Sequence, residues 1–592
     1  MFKNHPKGLI VAFFTNMGER FGFYTMMACL VFFLQARYGL SADKAGDYYS
    51  WFYFLIYGLA LVGGFLADKT QNYKGVIFIG IITMLGGYVL MAVPNLGLAM
   101  SLIALLIIAF GNGLFKGNLQ ALVGQLYDDP KYAPLRDSAF NLFYMGINIG
   151  AFFAPSAANG IRNWYLGTHG YIYDADLPSL CRAYIDNKAV DMSMLQELAN
   201  KVTGTTVTNL KAFAANYIDV FSTGYNYAFG IAAAAMIISL LVYIFFGKKL
   251  PNKQKITDQK TLTIKEKPLA LPIALVVAAI IAFLIALVRD LPTGLAFGLF
   301  GGFVTWIILL SSKEEKPKVT ALVLVFIVVI FFWMSFHQNG LTQSLFARDY
   351  TAKEVGPFTF IFFDLKAFLS LIGAGIGVVL LLKKSSQSLQ RIIGAGLVLV
   401  GGFLTYNFYH HYQPSNPIEP EIFQHFNPIF IVILTPVVVW LFAYWRKRGK
   451  EPSAPRKIGI GMILAALGFV VMLVGSIHLM SPASLGNTPT PERVSPYWLI
   501  NSYLVLTVAE LFLSPMGISF VSKVAPSRFQ GLMQGGWLAA TAVGNKLLFV
   551  GSLMWVRIDL WQLWLIFVVC CLISAAFIFS IMKRLERATQ DS

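Results

Sequence analysis

Apolar runs of about twenty residues recur from one end of the chain to the other, and a helix that crosses a bilayer needs roughly that length. Sixteen can be laid out: 8–36, 45–67, 74–94, 97–126, 138–160, 225–247, 268–288, 291–311, 319–346, 359–382, 389–407, 422–445, 458–480, 496–521, 530–555 and 560–582. The pattern predicts an all-α polytopic membrane protein. The first run is too long, and too often interrupted by polar groups, for a signal peptide, so it is expected to be a retained helix. A long stretch, 161–224, interrupts the series and is expected to lie outside the membrane.

Composition supports this. Of the 592 residues, 57% are hydrophobic and 13% charged, against about 25% charged in soluble domains. A net charge of +17 would suit a polyanion, but its placement argues otherwise. Lysines and arginines cluster between apolar runs: Lys248, Lys249, Lys253, Lys255, Lys260, Lys265 and Lys267; Lys383 and Lys384; Arg446, Lys447, Arg448, Lys450, Arg456 and Lys457; Lys583, Arg584 and Arg587. With Lys3, Lys7 and both termini in the cytoplasm, sixteen spans put all of these on one side, as the positive-inside rule requires. A cell inner (plasma) membrane location is expected, with the bilayer rather than nucleic acid as partner. Cys29, Cys181, Cys570 and Cys571 have no disulfide or metal spacing, and no metal or other cofactor is expected.

Ionisable groups at membrane depth are costly and mark pathways or paired sites. The first run carries Asn16, Glu19, Arg20, Phe23, Tyr24 and Met27 on one helical face. Lys116 lies in Gly111-Asn-Gly-Leu-Phe-Lys-Gly-Asn118, where the glycines permit close helix approach. Its flexible stem also allows the charge to snorkel to a nearby membrane surface. Tyr144 and Asn148 stand at i, i+4. His337 begins His337-Gln338-Asn339-Gly340, and Glu510 precedes Ser514-Pro515-Met516-Gly517. Glu19 and Arg20 can partly neutralise each other. Separated opposite charges suit a zwitterion, and equally an internal proton relay.

Several of these segments resemble signatures of the proton-coupled oligopeptide transporter family of the major facilitator superfamily. Glu19-Arg20-Phe21-Gly22-Phe23-Tyr24 resembles the first-helix pattern ExxERFxYY, and Phe143-Tyr144-Met145-Gly146-Ile147-Asn148-Ile149-Gly150 resembles FYxxINxG. Gly113 to Asn118 is similar to GLxKxN, Gln424-His425-Phe426-Asn427-Pro428 to QxxNP, and Glu510 to Gly517 to ExxxSPxG. Gly63-Gly64-Phe65-Leu66-Ala67-Asp68 is similar to the superfamily's cytoplasmic loop motif. The resemblance implies two six-helix bundles plus about four additional helices, working by alternating access. The implied division is 1–247 for the first bundle (insertion 161–224) and 248–318 for a basic linker and helix pair. Then come 319–350 for the first helix of the second bundle, 351–415 for a second added pair, and 416–592 for the remainder.

The implied activity is import of di- and tripeptides with protons by a monomer that is not an enzyme. The implied substrate contacts are Arg20 and Lys116 for the carboxylate and Asn148, Asn427 and Glu510 for the amino group. Tyr24 and Tyr57 would line the cavity, with Trp537 near the exit. Proton coupling would fall to Glu19, His337 and Glu510. Three positions depart together: the first Glu of ExxER is Asn16, an arginine expected past the tyrosines is Met27, and an acid expected before Gln338 is His337. Together they describe a rewired site. The same fold carrying a modified peptide, nitrate or another small anion is one alternative. A subunit of a proton-pumping complex is another; it needs a second buried lysine in a discontinuous helix of the C-terminal half, which offers Lys546 without that setting. A membrane transferase would rest on His410-His411 beside Glu419 and Glu421, expected here to be a solvated loop. Runs 359–382 and 389–407, with few ionisable groups, are expected to pack on the outside of the bundle.

Overall fold

A computed structural model describes residues 4–251, 267–383, 388–486, 488–526 and 529–590. Of the expected basic positions, Lys3, Lys253, Lys255, Lys260, Lys265 and Lys384 lie outside the described residues. The chain is helical nearly throughout: α1 (Lys7–Tyr38), α2 (Ala42–Thr70), α3 (Tyr73–Ala92), α4 (Leu98–Gln125), α5 (Arg136–Thr168), α6 (Leu177–Ile185), α7 (Met192–Thr203) and α8 (Leu210–Phe246). After them come α9 (Ala270–Val288), α10 (Leu291–Leu310), α11 (Lys316–Phe336), α12 (Thr342–Asp349), α13 (Pro357–Phe360), α14 (Leu365–Leu382) and α15 (Ser388–His411). The last are α16 (Phe426–Lys447), α17 (Ala454–Gly475), α18 (Pro482–Leu485), α19 (Pro496–Val524), α20 (Gln530–Lys546), α21 (Phe549–Trp555), α22 (Leu560–Ser580) and α23 (Met582–Gln590).

Among the described residues, fifteen helical segments are long and apolar enough to cross a membrane. The sixteenth expected span is α5, 33 residues long but more polar, because one of its faces meets the other half of the molecule. The fold is therefore the all-α polytopic one expected. Helix ends follow local chemistry: Gly39 closes α1 at φ 64°, where a Cβ would be strained. Asn72, Asp290 and Asp364 each cap a helix by accepting a backbone N–H.

In the first half α1 packs on α5 and α8, α3 on α4 and α8, and α2 on α4; in the second, α17 packs on α19 and α22, and α11 on α20 and α22. The start of α1, beside Lys249, and α23, whose Glu586 binds Arg456 at 2.7 Å, share one face with the described basic clusters. The 161–224 insertion occupies the other. Two expectations change here. α8 starts at Leu210, not near Tyr225, because Phe213, Ala214, Tyr217, Ile218 and Phe221 form a buried stripe upstream. Gly63 to Asp68 lie within α2 rather than in a loop, and the turn comes at Gln71.

The added pair α9–α10 is tightly apposed, α10 also touching α20 and α11. α14 and α15 pack on each other with mostly exposed flanks, as expected for an outside position. Antiparallel strands β1 (Glu354–Val355) and β2 (Asn416–Pro417) clasp the base of that excursion.

Glycine sets the spacing between α2 and α4. A Cβ on Gly113 would lie 2.6 Å from the Leu59 carbonyl carbon, and one on Gly63 would collide with Gly113. Asn118 Nδ2 donates to the Gly63 carbonyl at 3.0 Å across the same contact. Gly113→Val is expected to cost about 1–3 kcal/mol by overpacking, seen as a lower Tm in detergent. Gly64→Ala, with nothing within 4 Å, is expected to leave Tm unchanged.

Candidate functional site

The polar face of α1 is anchored in the interior. Arg20 Nε and Nη2 donate to the two oxygens of Glu19, both at 2.6 Å, and Asn112 Nδ2 of α4 donates to Glu19 Oε1 at 2.6 Å. Glu19 is wholly buried and Arg20 nearly so, with the guanidinium 4.6 Å above the Phe23 ring. A charge-assisted fork of this kind nearly neutralises both groups.

Lys116 of α4 does not snorkel. It is half-buried, with Nζ 3.9 Å above the ring of Tyr57 from α2. Among the described residues it makes no ion pair. Across the gap, Glu510 of α19 is 8% exposed, and the described groups that hydrogen-bond to it are neutral. Asn427 Nδ2 of α16 donates to Oε2 at 3.1 Å, and Tyr144 Oη of α5 reaches Oε1 at 3.5 Å. Pro515 lies inside α19, lacks an N–H, and so leaves the Leu511 carbonyl without its helical partner just past the acid. Tyr24 lies in electrostatic reach of Arg20, Glu19, Tyr57 and Glu510, and so links the two ends of the site. Tyr144 is 41% exposed although it touches Glu510, so the gap between the halves is open to solvent there.

Asn148 Nδ2 donates to the Tyr144 carbonyl of its own helix at 3.0 Å, and Tyr144 Oη stands beside Glu510. Trp537 of α20 is buried against Gly517, two turns beyond Glu510 toward the terminal face. His337 stacks on Trp333 (centroids 4.7 Å) and meets the edge of Tyr53 (4.5 Å), with Nδ1 2.5 Å from Asn545 Oδ1. The charged group in its reach is Lys116.

Sequence reasoning missed what joins the halves. Toward the insertion face, Lys546 Nζ of α20 donates to Asp47 Oδ1 of α2 at 2.6 Å and to Ser50 Oγ at 3.2 Å. Arg289, at the end of α9, donates to the same Asp47 oxygen at 2.8 Å. Arg162 of α5 binds Glu421, and Glu419 at 2.8 Å. Glu419 and Glu421 are thus not a solvated loop: Glu421 has no exposed side-chain surface. His410 and His411 form the last turn of α15, not a loop. Asp176 of the insertion binds Arg493 at 2.7 Å and Lys353 at 3.4 Å. Burial pulls the Lys353 ammonium down to about 8, with Asp176 opposing. These contacts hold the halves together at the insertion face, while the Glu510 gap lies open beneath them.

The family model described as PTR2, the POT family, matches residues 73–368 and 410–559. The chain belongs to the POT family. It is 28% identical to an uncharacterised transporter, YclF, of Bacillus subtilis (strain 168), over 92% of this chain and 87% of that one. It is 26% identical to the peptide transporter YePEPT of Yersinia enterocolitica (92% and 87%). With dipeptide and tripeptide permease B of Xenorhabdus bovienii it shares 25% (92% and 86%). A crystal structure of the peptide transporter POT in complex with sulfate aligns with TM-score 0.64 at 23% identity, covering 99% of this chain and 96% of that one. A POT family transporter in complex with 5-aminolevulinic acid aligns at 0.65 and 20% identity (99% and 98%). This POT family member therefore has the fold of its relatives.

Its insertion-face seal makes a direct prediction. Asp47→Ala leaves Lys546, which has no exposed side-chain surface, buried without its carboxylate, at an expected cost of about 3 kcal/mol. Asp47→Ala with Lys546→Met should recover most of the lost Tm. A double variant no more stable than Asp47→Ala would show that the pair does not hold the seal.

Proposed function

We propose that this protein is a secondary transporter that imports di- and tripeptides together with protons by alternating access between its two halves. The observation that carries the reading is the pairing of an unmatched cation, Lys116, with an acid that has only neutral partners, Glu510, on opposite sides of one solvent-open gap. A peptide's carboxylate supplies the charge missing beside Lys116, and its ammonium the charge missing beside Glu510. Recognition of the two ends alone leaves side chains free to vary. Arg20 contributes less than Lys116, since Glu19 occupies its fork. The relatives' names, peptide transporter and dipeptide and tripeptide permease, support the same cargo.

The basic terminal face is then cytoplasmic and the insertion face external, in an inner membrane. The protein works as a monomer and makes no covalent change to its cargo. The family division of the chain follows: bundles built from 1–247 and from 319–350 with 416–592, and added pairs between them. Asn427 and Tyr144 orient Glu510, Tyr24 and Tyr57 line the cavity, and Trp537 on Gly517 narrows the cytoplasmic exit. In the empty site a proton supplies the charge that Glu510 lacks, so acid and ammonium exchange at one carboxylate. His337, with rings and an amide around it, supports the aromatic wall.

A thermal-shift series tests the ends separately. At one hundred times Kd a dipeptide should stabilise the protein by about 2.7 kcal/mol. N-acetylation should abolish the shift through loss of the Glu510 contact, and C-terminal amidation should weaken it through Lys116. Equal shifts from all three peptides would defeat the two-ended reading, and a shift from nitrate alone would replace the cargo. In uptake assays Glu510→Gln should lower transport at least tenfold, and the transport that remains should depend less steeply on external pH than in the wild type. His337→Gln should keep that dependence; a flat profile in His337→Gln would move the proton site to the histidine.

A further inference from the structure

The Arg162 cluster carries two carboxylates for one cation. Arg162 binds Glu421 through Nη1 and Glu419 through Nη2. Asn163 Nδ2 donates to Glu419, Tyr225 Oη to Glu421 at 2.7 Å, and Asn159 Nδ2 to Glu421 at 3.4 Å. The ring of Tyr173 covers the guanidinium at 4.1 Å. Arg162 and Glu421 have no exposed side-chain surface, and Glu419 has 19%. Arg162, Asn163 and Asn159 come from α5 and Tyr225 from α8. Both acids come from the segment that leads into α16, so the cluster spans the seam between the halves.

Of the charged groups that line the adjoining cavity, Arg182 and Lys188 share Asp186 at 3.2 and 3.7 Å. Cys29 of α1 is buried within electrostatic reach. Arg348 of α12 is paired with Asp349 at 2.6 Å and donates to Gln35. His425, four residues past Glu421, is stacked between Phe152 and Phe368. With both acids ionised the cluster has a net charge of −1, and burying net charge is far costlier than burying a neutral pair. A cavity of about 290 Å³, lined by Gln35, Tyr173, Arg182, Arg348 and Pro420, reaches Glu421 from the insertion side.

We propose that the Arg162–Glu419–Glu421 cluster is a second, external proton site, which takes up one proton as the halves close at the insertion face. This rests on the reading of the protein as an alternating-access carrier with the insertion outside. Parted, each carboxylate meets water and needs no proton. Closed, the cluster is neutral only when the acids share one. Burial lifts the Glu419 carboxyl above the usual carboxylate range, against Arg162, in keeping with a proton held in the closed state. The sign follows: a group that binds its proton more tightly in the closed state favours closure as pH falls. External acid therefore drives the carrier toward the state open to the cytoplasm, separately from any proton at Glu510.

The test is a distance measurement by double electron–electron resonance on the full-length protein in nanodiscs. Spin labels at Thr168 and Glu492, exposed positions on the two halves, are placed in a background with the four cysteines replaced by alanine. The ratio of short to long distances should rise on going from pH 8 to pH 5, by up to about tenfold per pH unit where one proton is coupled. Glu419→Gln, which removes the surplus charge, should keep the short distance across that range. Glu510→Gln should leave the pH response intact. A wild-type ratio that ignores pH, or a Glu419→Gln protein that still responds, would overturn the proposal. Glu421→Gln, checked for a cooperative melt, repeats the test should Glu419→Gln fold poorly. Failure of the peptide reading would show separately, as absent peptide stabilisation with the distance response unchanged.

Discussion

A charge moved from water into the middle of this protein must be matched, and the structure is organised around where that matching is complete and where it is not. Glu19 and Arg20 satisfy each other with help from Asn112. Lys546 and Arg289 share Asp47. Among the described residues Lys116 and Glu510 are left without charged partners, and the gap between the halves is open to solvent at Tyr144, beside Glu510. In a medium of low dielectric such incompleteness is expensive. On the proposed reading it persists because a mobile charge, from a proton or a substrate, completes it during the working cycle.

The same logic explains why the two faces differ. At the insertion face, ion pairs and the buried Arg162 cluster cross from one half to the other. Contacts of this kind hold firmly when aligned and lose most of their strength over a small separation, so they suit a seam that is either closed or open. The helices inside each half are packed differently. Gly63 and Gly113 bring α2 and α4 together backbone to backbone, a contact that transmits motion without deforming. Arg289 also gives the added pair α9–α10 a part in the seal. It reaches Asp47 from outside both bundles and lies 3.5 Å above the Phe549 ring.

The membrane helices and their order were legible because each depends on a local property, an apolar run bounded by polar or basic residues. α5 shows the method at its limit. Its polar face dilutes the apolar run, and its family motif was the clearer guide. The individual residues of the site were also legible, because polar groups at membrane depth stand out. Their partnerships were not. Lys546 and Asp47 are 499 positions apart, and Arg162 and Glu421 are 259 apart. No local pattern encodes contacts at such separations. Glu419 and Glu421 looked like loop residues because they alternate with Pro417 and Pro420 just before the apolar run that begins at Ile422; the arginine near the end of α5 was the available hint.

The three departures, Asn16, Met27 and His337, make physical sense together. An acid at position 16 would lie one turn from Glu19 and compete for Arg20, or turn toward Lys116 and neutralise it. With asparagine there, Lys116 keeps an uncompensated charge over Tyr57. An arginine at position 27 would add a second cation to the same wall, and methionine, 3% exposed, fills that space with apolar volume. An acid at position 337 would again offer Lys116 a partner; histidine against Trp333 and Tyr53 does not. Each change removes a competitor for one charge or a duplicate of it. What remains, among the described residues, is a site with a cation over an aromatic ring and no acidic partner, an acid held by neutral groups, and an excess carboxylate at the seam beside Arg162.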